Sequence, residues 1–560
     1  MQRIIECVPN FSEGRDAAVL KAITGQVETV EGVRLLDVDP GKATNRTVVT
    51  FAGEPEAVLE SAVRAVRRAS ELIDMRRHKG EHPRFGATDV CPLVPVAGVT
   101  MEETVEYARA LAKRLGEELG LTVYCYENAA TSRERRNLAT VRAGEYEGLA
   151  EKLKDPRWKP DFGPAAFNPR SGATAVGARD FLVAYNVNLN TTSTRRANAV
   201  AFDVRERGRV KRKGDPLTGE PVLDAKGEPV WVPGSLGAVK AIGWFIEEYG
   251  VAQISMNLTD LSVTPVHVAF DEVCEKARAR GLRVTGSELV GLIPLGAMLD
   301  AGRYFLAKQK RSTGVSDREL IKIAVKSMGL DELGPFEPGE KIIEYVLARG
   351  GPPRLRDLTL QGFVEETASE SVAPGGGSVA AALGALGAAL GTMVANLSSH
   401  KRGWDDRWEE FSAWAEKGKA AHAELLALVD RDTEAFHAIL AAFRLPKGTK
   451  EEEAARSAAV QEATCGAIEV PLRVMEVSVA SMEVIRAMAE TGLESSLSDA
   501  GVGALCARSA ALGAYLNVKT NLSGLEDRER AKGYLTRASK LREQAIEAER
   551  EILGIVEDRI

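Results

Sequence analysis

The run ARGGPPRLRD (348–357) divides this chain into two parts that cannot share one architecture. Its Gly-Gly-Pro-Pro centre disfavours a continuing helix, because glycine is flexible and proline lacks a backbone N–H. Before this run, strand-like and helix-like patterns alternate. After it, the chain is rich in Ala, Leu and Glu, with helical periodicity and almost no strand signal. The sequence therefore predicts a linker over 348–357 between a mixed α/β region and an all-α region.

The region before the linker has the pattern of two related α/β units. β-Branched runs bounded by turn residues predict strands such as 32–39, and amphipathic periodicity predicts helices such as 54–75. The same alternation begins again near residue 181. We therefore predict two α/β (α+β) sandwich-like subdomains, 1–180 and 181–347. A stretch rich in Gly, Pro and Asp predicts a surface hairpin insertion near 213–234.

The region after the linker is predicted to be a helical bundle over 358–560. Its predicted helices are 378–397, 403–443, 450–490, 497–522 and 525–558. The stretch 379–397 carries no charge over a length that could span a membrane. It is mostly Ala and Gly, however, and Gly384, Gly387 and Gly391 share one helix face that permits close packing. We predict a buried helix, in the bundle or at a subunit interface, and no membrane span.

Length and composition exclude several classes of protein. A chain of 560 residues is too long for one core and fits several domains. Its net charge of −7 gives no attraction toward nucleic acid or an anionic membrane. Six scattered cysteines without a C-x-x-C pair are typical of a reducing compartment. Pro9 and Glu13 come too early for the apolar core of a signal peptide. We expect a cytoplasmic protein without nucleic-acid or membrane partners.

The segment RHKGEHPRFG (77–86) contains a possible metal pattern, because His78, Glu81 and His82 fit the H-x-x-E-H of a zinc hydrolase. That pattern places both histidines on one face only in a helix. A glycine lies between them, and Pro83 disfavours helical backbone at the preceding residue. We therefore predict a loop and no zinc site. A loop histidine can act as a general acid–base near neutral pH, or it can simply lie in a charged surface turn.

Other polar candidates follow a strand or lie in an irregular segment. Asp37 and Asp39 end a buried-type strand, where polar groups often line sites, although either could cap the next turn. The segment 161–179 is too rich in Gly, Pro and Ala for regular structure. It could wrap a flat ligand or serve as a linker.

The helical region contains two further candidate segments. APGGGSVAAAL (373–383) places three glycines before a helix, whose free N–H groups would favour anionic or carbonyl atoms of a ligand. A tight turn for close packing explains the glycines equally well. The segment lacks the P-loop and Rossmann patterns, so no nucleotide site is predicted. In VDRDTEAF (429–436), Asp430 and Glu434 share a helix face, and Asp432 turns toward an apolar flank.

Together these segments resemble the formimidoyltransferase-cyclodeaminase family, bifunctional folate enzymes of histidine breakdown. The N-terminal half is similar through ECVPNFSEG, LLDVD, TNRTV, LIDMRRHKGEHPR, DVCP, RAGEYE and PDFGP. The C-terminal half is similar through APGGGSVAAA, LVDRDTEAF, RLPKGT, EVPL and GAYLNV. The resemblance covers essentially the whole chain. The insertion near 213–234 departs from the vertebrate pattern without touching a motif.

The resemblance implies two successive reactions on one folate. The formimino group of N-formimino-L-glutamate would move to N5 of tetrahydrofolate. The resulting 5-formiminotetrahydrofolate would then cyclise to 5,10-methenyltetrahydrofolate and release ammonia. The resemblance further implies tetrahydrofolate as co-substrate, with or without a polyglutamyl tail, and no metal or nucleotide. It also implies a ring-like homo-oligomer.

The resemblance assigns roles by position. His82 would be the acid–base of the transferase, Asp39 would assist it, and Asp432 would move protons in the cyclodeaminase. The residues implied to contact folate are Gly163, Pro164, Ala165, Ala166, Phe167, Asn168, Pro169, Arg170, Ser171 and Gly172 in the first half, and Gly375, Gly376, Gly377 and Ser378 in the second.

Three alternative functions stay open at this point. The transferase could use N-formylglutamate, which also presents a glutamate and a one-carbon unit. The helical region could serve mainly in assembly. A metallohydrolase using the H-x-x-E-H pattern is the third.

Overall fold

Two units make up the chain, and each has its own buried core. The computed structural model describes residues 3–41, 45–80, 84–214, 218–349 and 354–560. The first unit comprises Met1–Met298 and Val325–Arg349, and the second comprises Leu299–Ala324 and Gly350–Ile560.

The first unit begins with a mixed sheet. Its strands are β1 (Ile4–Cys7), β2 (Asn10–Phe11), β3 (Val33–Gly41), β4 (Arg46–Gly53), β5 (Thr88–Ala97), β6 (Thr122–Glu127) and β7 (Ala173–Ala178). Its helices are α1 (Ala17–Val27), α2 (Pro55–Leu72), α3 (Met101–Glu118), α4 (Leu138–Val141) and α5 (Glu145–Lys152). β1 and β2 lie end to end between β4 and β5, and β3 pairs with β4. β7 and β6 extend the sheet beyond β5 in parallel.

Helices α1, α2 and α3 cover one face of this sheet. Thr100 and Glu103 form a capping box that begins α3, which fixes where its apolar stripe starts. Apolar residues of the three helices pack against strand residues such as Phe11 and Phe51. On the opposite face, α4 and α5 pack beside Tyr124 and Tyr126. Residues of β2, β4 and β5 on that face line a cavity.

Strand β7 corrects the prediction that 161–179 is irregular throughout. Ala173–Ala178 form a buried strand between β5 and β6. Gly177 must be glycine there, because a Cβ would lie 2.5 Å from a ring atom of Tyr126. Packing against neighbouring strands therefore outweighs the low strand propensity of Ala and Gly. The remainder of the segment is irregular, as predicted.

The first unit continues with a second, antiparallel sheet in the order β11-β12-β8-β13. The strands of this sheet are β8 (Val183–Leu189), β11 (Val239–Ile246), β12 (Val251–Leu258) and β13 (Val284–Val290). A separate two-stranded hairpin consists of β9 (Arg209–Val210) and β10 (Trp231–Val232). The helices of this part of the first unit are α6 (Thr194–Val204), α7 (Val266–Ala279), α10 (Pro338–Lys341) and α11 (Ile343–Ala348). Two helices that follow β13 in the chain, α8 (Leu295–Lys308) and α9 (Asp317–Met328), belong mostly to the second unit. Strands β9 and β10 make the predicted insertion a hairpin that begins slightly earlier, at Arg209. Strand β11 was missed by the sequence pattern.

The edge strand β11 has outward backbone groups that bond to residues of α6 and the turn after it. The amide of Asn198 exchanges two hydrogen bonds with Gly243: Gly243 N donates to Oδ1 at 3.0 Å, and Nδ2 donates to Gly243 O at 2.9 Å. The Glu206 N–H donates to Val239 O at 2.9 Å. Gly243 must lack a side chain, because a Cβ would lie 2.3 Å from Asn198 N. The edge of this sheet is therefore covered by its own chain.

The second unit is a helical bundle, as predicted. Its helices after the linker are α12 (Leu360–Thr367), α13 (Gly376–Ser398), α14 (Trp408–Phe443), α15 (Lys450–Thr491), α16 (Leu497–Leu522) and α17 (Arg528–Glu557). Helix α13 is long and apolar enough to cross a membrane, but most of its apolar stretch is buried among the other helices. Its glycines permit that packing, since a Cβ on Gly387 would lie 2.8 Å from Gly503 O on α16.

Candidate functional site

A cavity of about 740 Å³ lies over the open face of the first sheet. Asn10, Val48 and Val90 line it and stand directly opposite one another on β2, β4 and β5. Asp39 on β3 is the next member of the row, because it pairs with Val48. Side chains directly opposite in neighbouring strands share a face. One row of the sheet therefore carries Asp39 and, two strands away, Asn10.

Cations outnumber carboxylates in the lining of this cavity. The charged lining residues are Arg46, Arg142, Arg179, Lys240, Glu127 and Asp180. Arg142 is ion-paired with the buried Asp89, its Nε donating to Oδ1 at 3.1 Å. Asp89 is an extra residue in β5, since the ladder with β2 passes from Thr88 directly to Val90. Such a bulge redirects a side chain. The excess of positive charge suits an anionic ligand.

Two polar atoms of the lining are buried with neither a hydrogen bond nor an ion pair among the described residues: Oδ1 of Asn10 and Nε of Arg46. The Asn10 Nδ2 donates to Val8 O at 2.9 Å. Because a carbonyl can only accept, this bond decides which way the amide points and leaves Oδ1 as the unpaired atom. A buried polar atom without a partner carries a free-energy cost. A ligand that pairs with these atoms would remove that cost.

Asp39 and His82 were predicted to act together in the transferase. Asp39 is exposed at the end of β3. Burial lowers the pKa of Arg46, and the Asp39 carboxylate counteracts that effect, which places the carboxylate near the guanidinium. His82 lies outside the described residues, as do Glu81 and Pro83.

The described residues on either side of His82 are fixed to the backbone just before β4. His78 Nε2 donates to Asn45 O at 2.7 Å, and Asn45 Nδ2 donates to Lys79 O at 3.0 Å. Arg84 donates to His78 O. Burial lowers the pKa of His78, which favours its neutral ring. His78 thus anchors this segment, and the acid–base role of His82 stays a prediction.

The segment predicted to contact folate, Gly163–Gly172, leads into β7. Its first four residues are exposed. Near its end, the carbonyls of Arg170 and Ser171 accept from Met75 N and Ala87 N at 2.9 and 2.8 Å. The end of the segment therefore lies beside the stretch that carries His82. Its residues are not among the described residues that line the 740 Å³ cavity.

In the second unit, the N-terminus of α13 meets α14 at Asp432. Ser378 Oγ lies 3.0 Å from Asp432 Oδ2 and 3.0 Å from Val429 O, so one hydroxyl hydrogen can serve either acceptor. A Cβ on Gly377 would lie 2.1 Å from Asp432 Oδ1. Only glycine therefore lets the carboxylate approach this closely. The structure brings the Gly375–Ser378 turn and Asp432 together.

The environment of Asp432 favours a proton on its carboxyl group. Burial raises its pKa, while hydrogen bonds from the hydroxyl and backbone N–H of Ser378 lower it in part. The pKa of this carboxyl is therefore raised above its ordinary value, which makes the group a better proton acceptor. Arg356 Nε lies 3.1 Å from Oδ2 of the neighbouring Asp430 and compensates its charge.

Sequence reasoning missed the cavity residues Asn10 and Arg46 and the pair formed by Asp89 and Arg142. Their meeting depends on strand register and on a bulge, neither of which a single sequence displays. The available signal was weak: Asn10 lies in ECVPNFSEG and Asp89 in DVCP, both quoted for the resemblance without a role for these residues.

Comparisons with known proteins cover both units. The model for the N-terminal subdomain of the formiminotransferase domain matches residues 4–179, and the formiminotransferase domain model matches 184–348. The formiminotransferase-cyclodeaminase model matches residues 359–540.

Three relatives illustrate how the similarity is distributed. The formimidoyltransferase-cyclodeaminase of Mus musculus is 44% identical over 560 residues, which cover 100% of both chains. The glutamate formimidoyltransferase of Streptococcus pyogenes is 40% identical over 306 residues, 55% of this chain and 94% of the relative. The methenyltetrahydrofolate cyclohydrolase of Methylorubrum extorquens is 39% identical over 196 residues, 34% of this chain and 94% of the relative. With a full-length relative at this identity, the chain belongs to the formimidoyltransferase-cyclodeaminase family.

Proposed function

We propose that this chain is a bifunctional folate enzyme of histidine degradation. It transfers the formimino group of N-formimino-L-glutamate to N5 of tetrahydrofolate, and then cyclises the product to 5,10-methenyltetrahydrofolate with release of ammonia. The observation that carries the proposal is the 44% identity across the whole of both chains to a relative whose name states both activities.

The first reaction needs one proton moved between two nitrogens. N5 of tetrahydrofolate attacks the amidine carbon and forms a tetrahedral intermediate. N5 then loses a proton, the glutamate nitrogen gains one, and the bond between that nitrogen and the carbon breaks. A single group with a pKa near neutral can take the first proton and give it to the leaving nitrogen. We assign this role to His82, with Asp39 holding the imidazole in the productive tautomer.

The cavity supports this assignment through its charge. Both the donor and the folate carry glutamate carboxylates, and Arg46, Arg142, Arg179 and Lys240 line the space beside the row that contains Asp39. The reacting amidine, in contrast, is cationic when protonated and suits the row that carries Asp39 and Asn10.

The second reaction starts from the protonated formimino group. N10 attacks the formimino carbon, gives up its proton, and the amino group takes a proton and leaves as ammonia. A proton thus again moves from one nitrogen, N10, to another, the departing amino group, and no net proton is consumed. We assign it to Asp432, whose pKa is raised by burial and which Ser378 holds in place.

Binding of the two folates is assigned to two segments. Gly163–Gly172 would hold tetrahydrofolate for transfer, because the end of this segment is bonded to the stretch that carries His82. Gly375–Ser378 would border the second folate, because this turn contacts Asp432. The ligand set is tetrahydrofolate as co-substrate, with or without a polyglutamyl tail, and we propose no metal, nucleotide or nucleic acid.

We further propose a cytoplasmic, ring-like homo-oligomer with the domains 1–180, 181–347 and 358–560. Its support in the second unit is a set of exposed apolar residues spaced along α13 and α16. These are Leu386, Met393 and Leu397 on α13, and Val502, Leu505 and Leu516 on α16. Light scattering on the purified protein counts the subunits.

The experiment that tests the activity is a spectrophotometric assay with tetrahydrofolate and formiminoglutamate, in which methenyltetrahydrofolate and ammonia are followed together. The expected result is production of both, with transfer lowered ~10²–10⁴-fold in His82→Ala, the usual contribution of an acid–base group. Turnover only with N-formylglutamate and without ammonia would refute the proposal and favour the formyl donor.

Two variants separate the remaining alternatives. Asp432→Asn should abolish ammonia release and leave the oligomer intact. An unchanged rate of ammonia release would instead favour a helical unit that serves assembly. Stoichiometric zinc in the purified protein would favour the metallohydrolase.

A further inference from the structure

The unpaired oxygen of Asn10 gives the 740 Å³ cavity a preference for ligands that place an N–H group beside it. Asn10 is 5% exposed, lines the cavity, and has its amide oriented by the bond from Nδ2 to Val8 O. The atom left without a partner is Oδ1, which can only accept a hydrogen bond. The cavity therefore presents a buried acceptor that an N–H group of a ligand can satisfy and a carbonyl oxygen placed at the same point cannot.

The two candidate donors differ at one atom. The terminal atom of the one-carbon unit is a nitrogen that carries hydrogen in N-formiminoglutamate, and it is an oxygen in N-formylglutamate. A site that bonds the terminal N–H rejects the analogue with an oxygen at that atom, because the buried acceptor is left unpaired and two oxygens then face each other. Shape alone would not separate such similar molecules.

We infer that Asn10 Oδ1 accepts a hydrogen bond from the terminal nitrogen of the formimino group and thereby makes the transferase select the formimino donor over the formyl donor. This inference rests on the proposed function and names the residue that decides its substrate. Asn10 is a specificity-determining contact and takes no part in proton transfer.

The position of Asn10 on the sheet agrees with this role. It lies in the same row as Asp39, two strands away, and neighbouring strands are about 4.8 Å apart. The two acceptors are thus roughly 10 Å from each other on one face. Arg46 is on the same face, two residues from Val48 in β4. The glutamate carboxylates of the donor then have a cation near them, while the terminal nitrogen of the amidine faces Asn10.

The test compares Asn10→Leu with the wild type. Leucine has the same branching and the same number of side-chain heavy atoms as asparagine, and it has no acceptor. Two quantities are measured: kcat/KM for N-formiminoglutamate, and Ki for N-formylglutamate as a competitive inhibitor of that reaction. We expect kcat/KM to fall about 10–100-fold, since the N–H loses its partner. We expect Ki to stay unchanged or fall, since no acceptor then opposes the formyl oxygen.

A matched control is Thr88→Val. Thr88 Oγ1 is also buried without a partner among the described residues, but Thr88 does not line the cavity. This change should leave both constants within twofold of the wild type, which shows that losing a buried oxygen is not sufficient. Asn10→Ala is the second variant, should Asn10→Leu lower the thermal stability. It should show a smaller loss, because water can occupy the space and accept the N–H.

The outcomes are distinguishable. A fall in kcat/KM without a rise in Ki supports the inference. Equal losses for both ligands would assign Asn10 a structural role, and no change in either constant would show that Oδ1 contacts no donor atom; both overturn it. A wild type that transfers nothing from N-formiminoglutamate would overturn the proposed function and this inference with it.

Discussion

Replacing Gly377 by alanine tests whether the N-terminus of α13 positions Asp432. A Cβ at this position would lie 2.1 Å from Oδ1, 2.5 Å from Cγ and 2.7 Å from Oδ2 of Asp432, whereas real Cβ atoms essentially never come closer than 3.0 Å. The carboxylate must therefore retreat by roughly 1 Å, a displacement that can lower the rate of a chemical step about 10²-fold. At about 1.4 kcal/mol per tenfold change, the activation barrier rises by ~2.7 kcal/mol.

The assay separates the two reactions of Gly377→Ala. Cyclodeaminase turnover is followed with 5-formiminotetrahydrofolate and should fall about 100-fold. Formimino transfer in the same preparation should be unchanged, because it takes place in the other unit. The matched control is Gly554→Ala in α17, where nothing lies within 4 Å of the added Cβ. The control should keep full activity and gain up to about 1 kcal/mol of stability. A cyclodeaminase rate within threefold of the wild type would refute the reasoning.

Three further predictions follow from buried polar groups. Ser378→Ala removes hydroxyl bonding that lowers the pKa of Asp432, so the acidic limb of the cyclodeaminase pH–rate profile should move to higher pH. Burial raises the pKa of Glu6 from 4.5 to about 7, so wild-type stability falls as pH rises through this interval. Glu6→Gln should therefore raise the free energy of unfolding above pH 7 by on the order of 3 kcal/mol, and by nothing near pH 4, in urea titrations. Arg142→Met leaves the Asp89 carboxylate, 1% exposed, without its cation. Arg142→Met should therefore destabilise the first unit by ~3–5 kcal/mol in the same urea titration. Adding Asp89→Leu to this variant should restore most of the lost stability.

The sequence predicted much of the fold because its patterns are local. The Gly-Gly-Pro-Pro run and the loss of strand signal after it predicted a helical second region, and helices α13 to α17 begin and end within a few residues of the predicted bounds. The prediction of irregular structure was wrong over strand β7, for a physical reason. Its alanines and glycine have low strand propensity, and the strand forms because β5, β6 and Tyr126 surround it.

The candidate site was less predictable from the same patterns. Helical spacing alone predicts that Asp432 and Asp430 lie on different faces of one helix. The structure agrees, since Asp430 is paired with Arg356 and Asp432 contacts Ser378. The row through Asp39 and Asn10, however, exists because residues from three strands fall into one register. No local pattern encodes such a meeting. The roles of His82 and Asp39 came from the resemblance and stay predictions.

The bonds between Asn198 and Gly243 at strand β11 have a consequence for solubility. A sheet edge with free N–H and C=O groups can recruit a strand from another molecule, which is a common start of aggregation. Here the chain's own amide side chain and the N–H of Glu206 occupy those groups. These backbone groups of Gly243 and Val239 are therefore closed to strand addition, which makes this edge of the second sheet a poor template for another chain.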